Sequence, residues 1–489
     1  MHPAAFGAGR LAFGVPERDA PTNLEGQLSA TLSEQIAGWL LDLDPAHVPE
    51  DVVEATRLRV LDVVGLSLCG RSFPQGQAVI KGGGALGGRP EAHILGEAEP
   101  TGSATAALVN GALAGALEWD DTHNETIIHV SSPVVAAALA TAEACGVNGL
   151  ALVTAIAAAS ELTCRLGLIA PGGFHPRGFH PTSLIGTFGA VCAVAKLRGL
   201  SRDQTRHALG IAGSQAAGIL ESWSDETWAK LLHPGWAAHS AVAACHLAAA
   251  GFTGPRKVFE GDAGLFRTHL QGEGKLDFGR LTERLGETWE SRGISFKPYP
   301  TAHVVHAIID AAAQLRSEAK LRPGDIAKVI CRIASFMVPV VAEPEAEKFA
   351  PISSQGARTS LHFTLAEVLK HGTIDADSYA PERLADPELL ALSRKVHYEI
   401  DPAATDRRQF KGWVVIETTD GRVLERIEPY NLGSRERPMT RAQVCAKFRA
   451  NATRVLPNAR VAEIEALLAR PEQIGQISAL AALCQGAGV

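Results

Sequence analysis

From residue 30 to about residue 270 the chain carries one apolar, alanine-rich stretch after another, and that run admits little besides packed helices. Residues 51–68 place Val52, Val53, Ala55, Leu58, Leu61, Val64, Leu66 and Leu68 at mixed three- and four-residue spacings. That spacing predicts a helix with a broad apolar face. Residues 104–117, 133–144, 183–196 and 236–250 are richer still in Ala, which favours helix and lets helix axes approach closely. Ser132 followed by Pro133 predicts an N-cap and a first-turn proline. Helices this apolar on most sides belong at the centre of a fold. No alternation of strand and helix of the Rossmann or TIM-barrel kind runs through this region.

The texture changes near Gly293. Residues 327–333 alternate as a strand with one covered face, and residues 396–400 make a second candidate. Residues 413–417 and 422–427 flank Asp420-Gly421, the chemistry of a tight hairpin turn. Helical patterns intervene at 304–315 and 360–370. Thr440 with Gln443 predicts a capping box, and residues 461–469 read as helix again. A chain of 489 residues exceeds what one core usually supports. The expected fold is therefore mainly α with a smaller α+β domain. Residues 1–293 form an N-terminal extension and a large all-helical domain, 294–430 a lid domain containing an antiparallel sheet, and 431–489 helices returning to the helical domain.

Composition narrows the function classes. The formal charge is -7 and no long basic run occurs, which weighs against nucleic acid and anionic membranes as partners. Eight scattered cysteines without a CxxC pair point to a reducing, cytoplasmic setting. Residues 1–22 hold no apolar core of signal-peptide length, and the apolar stretch at 149–160 is too short to span a bilayer. Gly82, Gly84 and Gly87 satisfy GxGxxG in letters only, because Gly88-Arg89-Pro90 cannot open the helix that would hold a pyrophosphate. A glycine-rich turn is the reading there. No GxSxG, HExxH, P-loop or EF-hand motif is present.

What stands out is a few polar islands in apolar sequence. The first is Glu118-Trp119-Asp120-Asp121-Thr122-His123, followed by His129 just before a predicted helix start, where exposed amides favour an anion. The second holds His175 and His180, the latter again preceding a helix. The third, Lys230-Leu231-Leu232-His233-Pro234-Gly235, sets a Lys and a His three residues apart. The fourth is Lys297-Pro298-Tyr299-Pro300 with His303 and His306. With four tyrosines in the chain, Tyr299 beside a Lys and two His is a candidate proton donor or carboxylate ligand. Taken singly, each island also suits a solvated loop or a histidine bonded to backbone. Together they supply cations for carboxylates and acid–base groups beside them.

At these residues the chain resembles the MmgE/PrpD family, which includes 2-methylcitrate dehydratase, cis-aconitate decarboxylase and iminodisuccinate epimerase. The likeness also covers Arg59-Val60-Leu61-Asp62-Val63-Val64-Gly65, Phe179-His180-Pro181-Thr182-Ser183 and Gly251-Phe252-Thr253-Gly254-Pro255. The resemblance implies a homodimer whose active site lies between the helical domain and the lid. It carries functional positions onto Asp121 or Asp120, Thr122, His129, His180, Lys230 and His306. Two departures from the decarboxylase pattern weigh against decarboxylation of cis-aconitate. Glu118 stands where a shorter Asp is usual, and residues 334–338 hold no tyrosine.

The expected activity is that of a lyase or isomerase on a small di- or tricarboxylic acid, without metal or cofactor, opening with proton removal α to a carboxylate. A hydro-lyase of the 2-methylcitrate dehydratase kind leads, with a decarboxylase or epimerase on a related acid as alternatives. Asp121, His129, His180, Lys230 and His306 are the candidate catalytic groups; Asp120, Thr122, Lys297, Tyr299 and His233 are candidate substrate ligands. Two readings of other classes compete: a divalent-metal hydrolase using Asp120, Asp121, His123, His129 and His180, and a non-catalytic binding protein.

Overall fold

The apolar stretches become helices whose buried residues run round nearly their whole circumference: Glu50–Gly70, Ser103–Gly115, Ser131–Cys145, Gly149–Leu168, Pro181–Leu197 and His233–Ala249. The structure, a computed structural model, describes residues 30–406 and 408–486, and the stretch at 1–22 lies outside them. The Gly149–Leu168 helix continues past residue 160 because its polar residues are matched inside the protein. Arg165 Nε donates to Glu161 Oε1 at 2.6 Å, and its guanidinium donates to the carbonyls of Glu283 and Thr288 at 2.8 and 2.9 Å. At 20 residues this helix is long and apolar enough to cross a membrane, yet 89% of its most apolar window is buried within the protein.

Ser132 does not cap its helix. Val130 takes the N-cap position, while the Asp121 carboxylate accepts from the Ser131 amide at 3.0 Å and from the Ser131 hydroxyl. The Ser132 hydroxyl donates instead to Asp120. Small residues let the central helices touch backbone to backbone. A Cβ on Gly235 would lie 2.0 Å from the Leu108 carbonyl oxygen, and one on Gly111 would lie 2.8 Å from Gly235 Cα. The glycine-rich segment at 82–88 ends the Pro74–Gly84 helix and turns through Gly87 at φ 63°.

A second buried apolar cluster is built from the helices His306–Ala319 and Leu361–His371 against a four-stranded sheet. The strands lie in the order Val396–Ile400, Ile326–Ile333, Gly412–Thr418, Val423–Glu428. The expected hairpin forms around Asp420-Gly421, with Gly421 at φ 86°. The sheet is mixed, however, and not antiparallel throughout: Cys331 pairs with Tyr398 in parallel and with Val414 in antiparallel register. The helices between the parallel strands, Leu361–His371 and Pro387–Ser393 among them, provide the crossover such a pair needs.

Beyond the sheet, the Thr440–Gln443 capping box starts the Arg441–Ala452 helix. Its Phe448 joins the cluster of the long apolar helices, and Lys447 Nζ donates to Asp62 Oδ2 at 2.9 Å.

The helix crossing at Gly235 yields a direct test. Gly235→Ala forces a methyl against backbone that no rotamer can relieve, and should lower unfolding free energy by about 1–3 kcal/mol in urea titration. An unchanged midpoint would contradict the close crossing.

Candidate active site

Past the end of the Ser103–Gly115 helix the chain turns sharply, with Glu118 in the left-handed region at φ 54°. A side chain pays about 1–2 kcal/mol to sit there, so its neighbours must hold it. They do so from three directions. Lys230, on the 3-10 turn Ala229–Leu232, donates Nζ to Glu118 Oε1, and Gln355 Nε2 donates to the same oxygen at 3.0 Å. Thr122–His123 pairs with Ile294–Ser295 as a two-residue ribbon, which brings Lys297 alongside; its Nζ donates to the Glu118 carbonyl at 2.8 Å. Lys297 is fully buried and Lys230 is 7% exposed. Burial pushes the Glu118 carboxyl up, but Lys230 and Lys297 together outweigh it and hold the group well below the usual carboxylate range. Burial brings the Lys297 ammonium down to about 8.

Three of the four imidazoles around this charged floor each have a different backing. His129 Nδ1 donates to the Asp121 carbonyl at 2.9 Å, so the neutral ring keeps Nε2 as its unprotonated nitrogen. The Thr122 hydroxyl lies 3.2 Å from the same Nδ1, and Asp120 Oδ1 lies 3.6 Å away. His180, N-cap residue of the Pro181–Leu197 helix, shares an Nδ1···Nδ1 hydrogen bond of 2.9 Å with His233, so one ring donates and the other accepts. His303 Nε2 accepts from Asn431 Nδ2 at 2.8 Å, an orientation set by Asn124 Nδ2 donating to Asn431 Oδ1 at 3.3 Å. That leaves the proton on His303 Nδ1, which finds no hydrogen-bond partner among the described residues. Burial, reinforced by the nearby ammonium groups, keeps His129, His180 and His303 below 6.5; for His129 the Asp120 carboxylate partly opposes it. All three rings are neutral at pH 7.

These groups line one cavity of about 450 Å³. Of the ten candidate catalytic and substrate-binding residues, Thr122, His129, His180, Lys230 and Lys297 face it together. The other five stand behind its wall. Asp121 caps a helix and meets His129 through its carbonyl rather than its carboxylate, and Asp120 binds the Ser132 hydroxyl. His233 supports His180 from behind. Tyr299 donates its hydroxyl to Asp310 at 2.8 Å, away from the cavity, because that carboxylate is buried and needs a donor. His306 is fully buried, with Nε2 on the Thr301 carbonyl at 3.3 Å. Its place in the cavity belongs to His303, which sits on the 3-10 turn His303–Val305 just ahead of the helix. Glu118, His175, Trp223 and Phe336 also line the cavity, and no spacing rule marked Trp223 or Phe336. The ligand set of the metal reading does not converge: His123 turns its Nδ1 to Thr126, and no group of three His, Cys, Asp or Glu among the described residues is placed to hold a metal ion.

Fold and cavity define a mainly helical protein with a buried site of one carboxylate, two ammonium groups and neutral imidazoles. Models of the MmgE/PrpD N-terminal and C-terminal domains match residues 34–276 and 299–471. The chain belongs to the MmgE/PrpD family. It is 27% identical to cis-aconitate decarboxylase-like protein oryM of Aspergillus oryzae, over 94% of this chain and 98% of that one. It is 26% identical to cis-aconitate decarboxylase of Homo sapiens, over 93% of this chain and 95% of that one. To the Mus musculus enzyme of the same name it is also 26% identical, over 94% of each.

The protonation states set a pH profile. A neutral His129 whose conjugate acid lies below 6.5 keeps kcat/KM flat down to that pH, and the rate falls only under more acidic conditions. On the alkaline side, loss of the Lys297 proton should bring the rate down near pH 8. Lys297→Arg should displace the alkaline limb upward, since guanidinium stays charged throughout; an alkaline limb unmoved by that change would exclude Lys297 as its source.

Proposed function

We propose that the protein is a lyase acting on a small di- or tricarboxylic acid, by proton transfer at the carbon next to a carboxylate. The observation that carries this reading is the meeting of Lys230, Lys297, His129, His180 and His303 around one cavity. The two ammonium groups hold a substrate carboxylate and take up charge as a carbanion forms beside it. His129 Nε2 removes the carbon-bound proton, and the electron pair passes to the carboxylate and then into the new double bond. As hydroxide leaves the adjacent carbon, Lys297 supplies its proton, which the His129 imidazolium returns. The net change is loss of water to give an unsaturated acid. The His303 Nδ1–H donates a hydrogen bond to the departing oxygen. The smaller α+β part closes over the site as a lid and the enzyme works as a homodimer, both of which follow the family resemblance, while the scattered cysteines fit a cytoplasmic setting.

A second reading has its own support. The relatives named cis-aconitate decarboxylase cover nearly the whole chain, and the same proton relay run toward carbon would accompany loss of CO2. Incubating a panel of hydroxy and unsaturated polycarboxylates in deuterated water separates the two: hydration or dehydration appears without gas, whereas decarboxylation releases CO2. Deuterium uptake at carbon is common to both.

Lys230→Ala leaves Glu118 buried without its cation, so the cleaner variant is Lys230→Met with Glu118→Gln, which removes both charges at similar volume. It should lower kcat/KM by about 100-fold or more while unfolding stays cooperative. Full activity would remove the pair from the scheme.

A further inference from the structure

The cavity is two-sided. Its floor is charged and buried, whereas its upper walls are hydrocarbon: Trp223, Phe336 and Val340 are half-buried, Pro339 is exposed, and Val304 is buried among them. A second depression of about 400 Å³ shares Trp223, Pro339, Val340 and Thr359 with it, and beyond these its lining turns polar, with Glu226, Glu343, Glu347 and Lys348. A polycarboxylate has no group to set against Trp223, Phe336 and Val304, and a carboxylate seated on those side chains would exchange its hydration for hydrocarbon.

Charge at the floor points the same way. Lys230, Lys297 and the buried Arg358 bring three positive charges, and Glu118 and Asp120 return two negative ones. His129, His180 and His303 add none. Behind the wall, Lys447 is paired with Asp62 at 2.9 Å and Arg59 faces Asp121. One positive charge is left uncompensated for the ligand. It suits one carboxylate held by the ammonium groups, with a second resting on imidazole and hydroxyl donors. A third would be buried without a partner.

We propose that the acid taken by this site carries no more than two carboxylates and, in addition, a hydrocarbon arm of several carbons that lies along Trp223, Phe336 and Val340. The carboxylate end rests on the lyase reading above; the arm rests on the walls alone. The arm excludes water from the mouth and confers selectivity by length.

Calorimetric titration of the protein with saturated acids, which keep the α C–H but have no hydroxyl to lose, tests this. The probes are succinate, its 2-methyl, 2-butyl and 2-hexyl derivatives, and tricarballylate. Affinity should rise about two- to fourfold for each methylene added to the arm, and tricarballylate should bind no tighter than succinate. Val340→Asp should weaken 2-hexylsuccinate at least tenfold while leaving succinate within twofold. Tricarballylate binding tightest, affinities independent of arm length, or no binding by any probe would each overturn the proposal. Deuterium uptake at the carbon next to the carboxylate is read on the same mixtures. Arm-dependent binding without uptake would sink the lyase reading and leave the arm standing; uptake into tricarballylate with no arm dependence would do the reverse.

Discussion

A buried carboxylate in a left-handed backbone conformation holds this site together. Glu118 is bonded at its side chain by Lys230 and Gln355 and at its carbonyl by Lys297. The three donors come from segments far apart in the chain. Removing a charge from such a group leaves the others buried and unpaired, which is expensive in a low-dielectric interior. The arrangement therefore persists only as a set. Next to it, Arg358 donates to the Leu117 carbonyl at 3.2 Å and to the Pro300 carbonyl at 2.7 Å, so the backbone entering the turn is tied to the same neighbours.

Around that floor, the packing selects tautomers. Backbone and amide partners occupy one nitrogen each of His129 and His303, which leaves an acceptor on the first ring and a donor on the second. Burial keeps both neutral, so neither competes with the ammonium groups for a substrate carboxylate. The long Ala-rich helices serve this end indirectly. Their close approach leaves a rigid wall behind the site, with Asp121 spent on capping a helix rather than on chemistry.

Much of this was legible in the sequence, and the gaps have physical causes. Alanine-rich runs and turn chemistry located the central helices and the Asp420-Gly421 hairpin, because both signals are local. The parallel pairing of Ile326–Ile333 with Val396–Ile400 was not, since register across a helical crossover leaves no local mark. Lys230, Lys297, His129 and His180 stood out as polar residues in apolar surroundings, and those four share the cavity. His306 and Tyr299 stood out equally but face inward to backbone and to Asp310. The choice between His303 and His306 turned on a single 3-10 turn, which no spacing rule reveals. Asp121 and Asp120 stood out as acids beside a helix start; Asp121 spends its carboxylate on the Ser131 amide and hydroxyl, and Asp120 accepts from the Ser132 hydroxyl. Trp223 and Phe336 are ordinary aromatics until the fold sets them at one mouth.

The most direct measurement is a crystal structure of the protein with a saturated dicarboxylic acid bound. The expected result is a carboxylate oxygen within about 3 Å of the Lys230 or Lys297 ammonium nitrogen. The adjacent carbon should be turned toward His129 Nε2. An acid bound outside this cavity, or one whose carboxylates avoid both lysines, would contradict the claim that the buried carboxylate–ammonium floor is where the substrate is held.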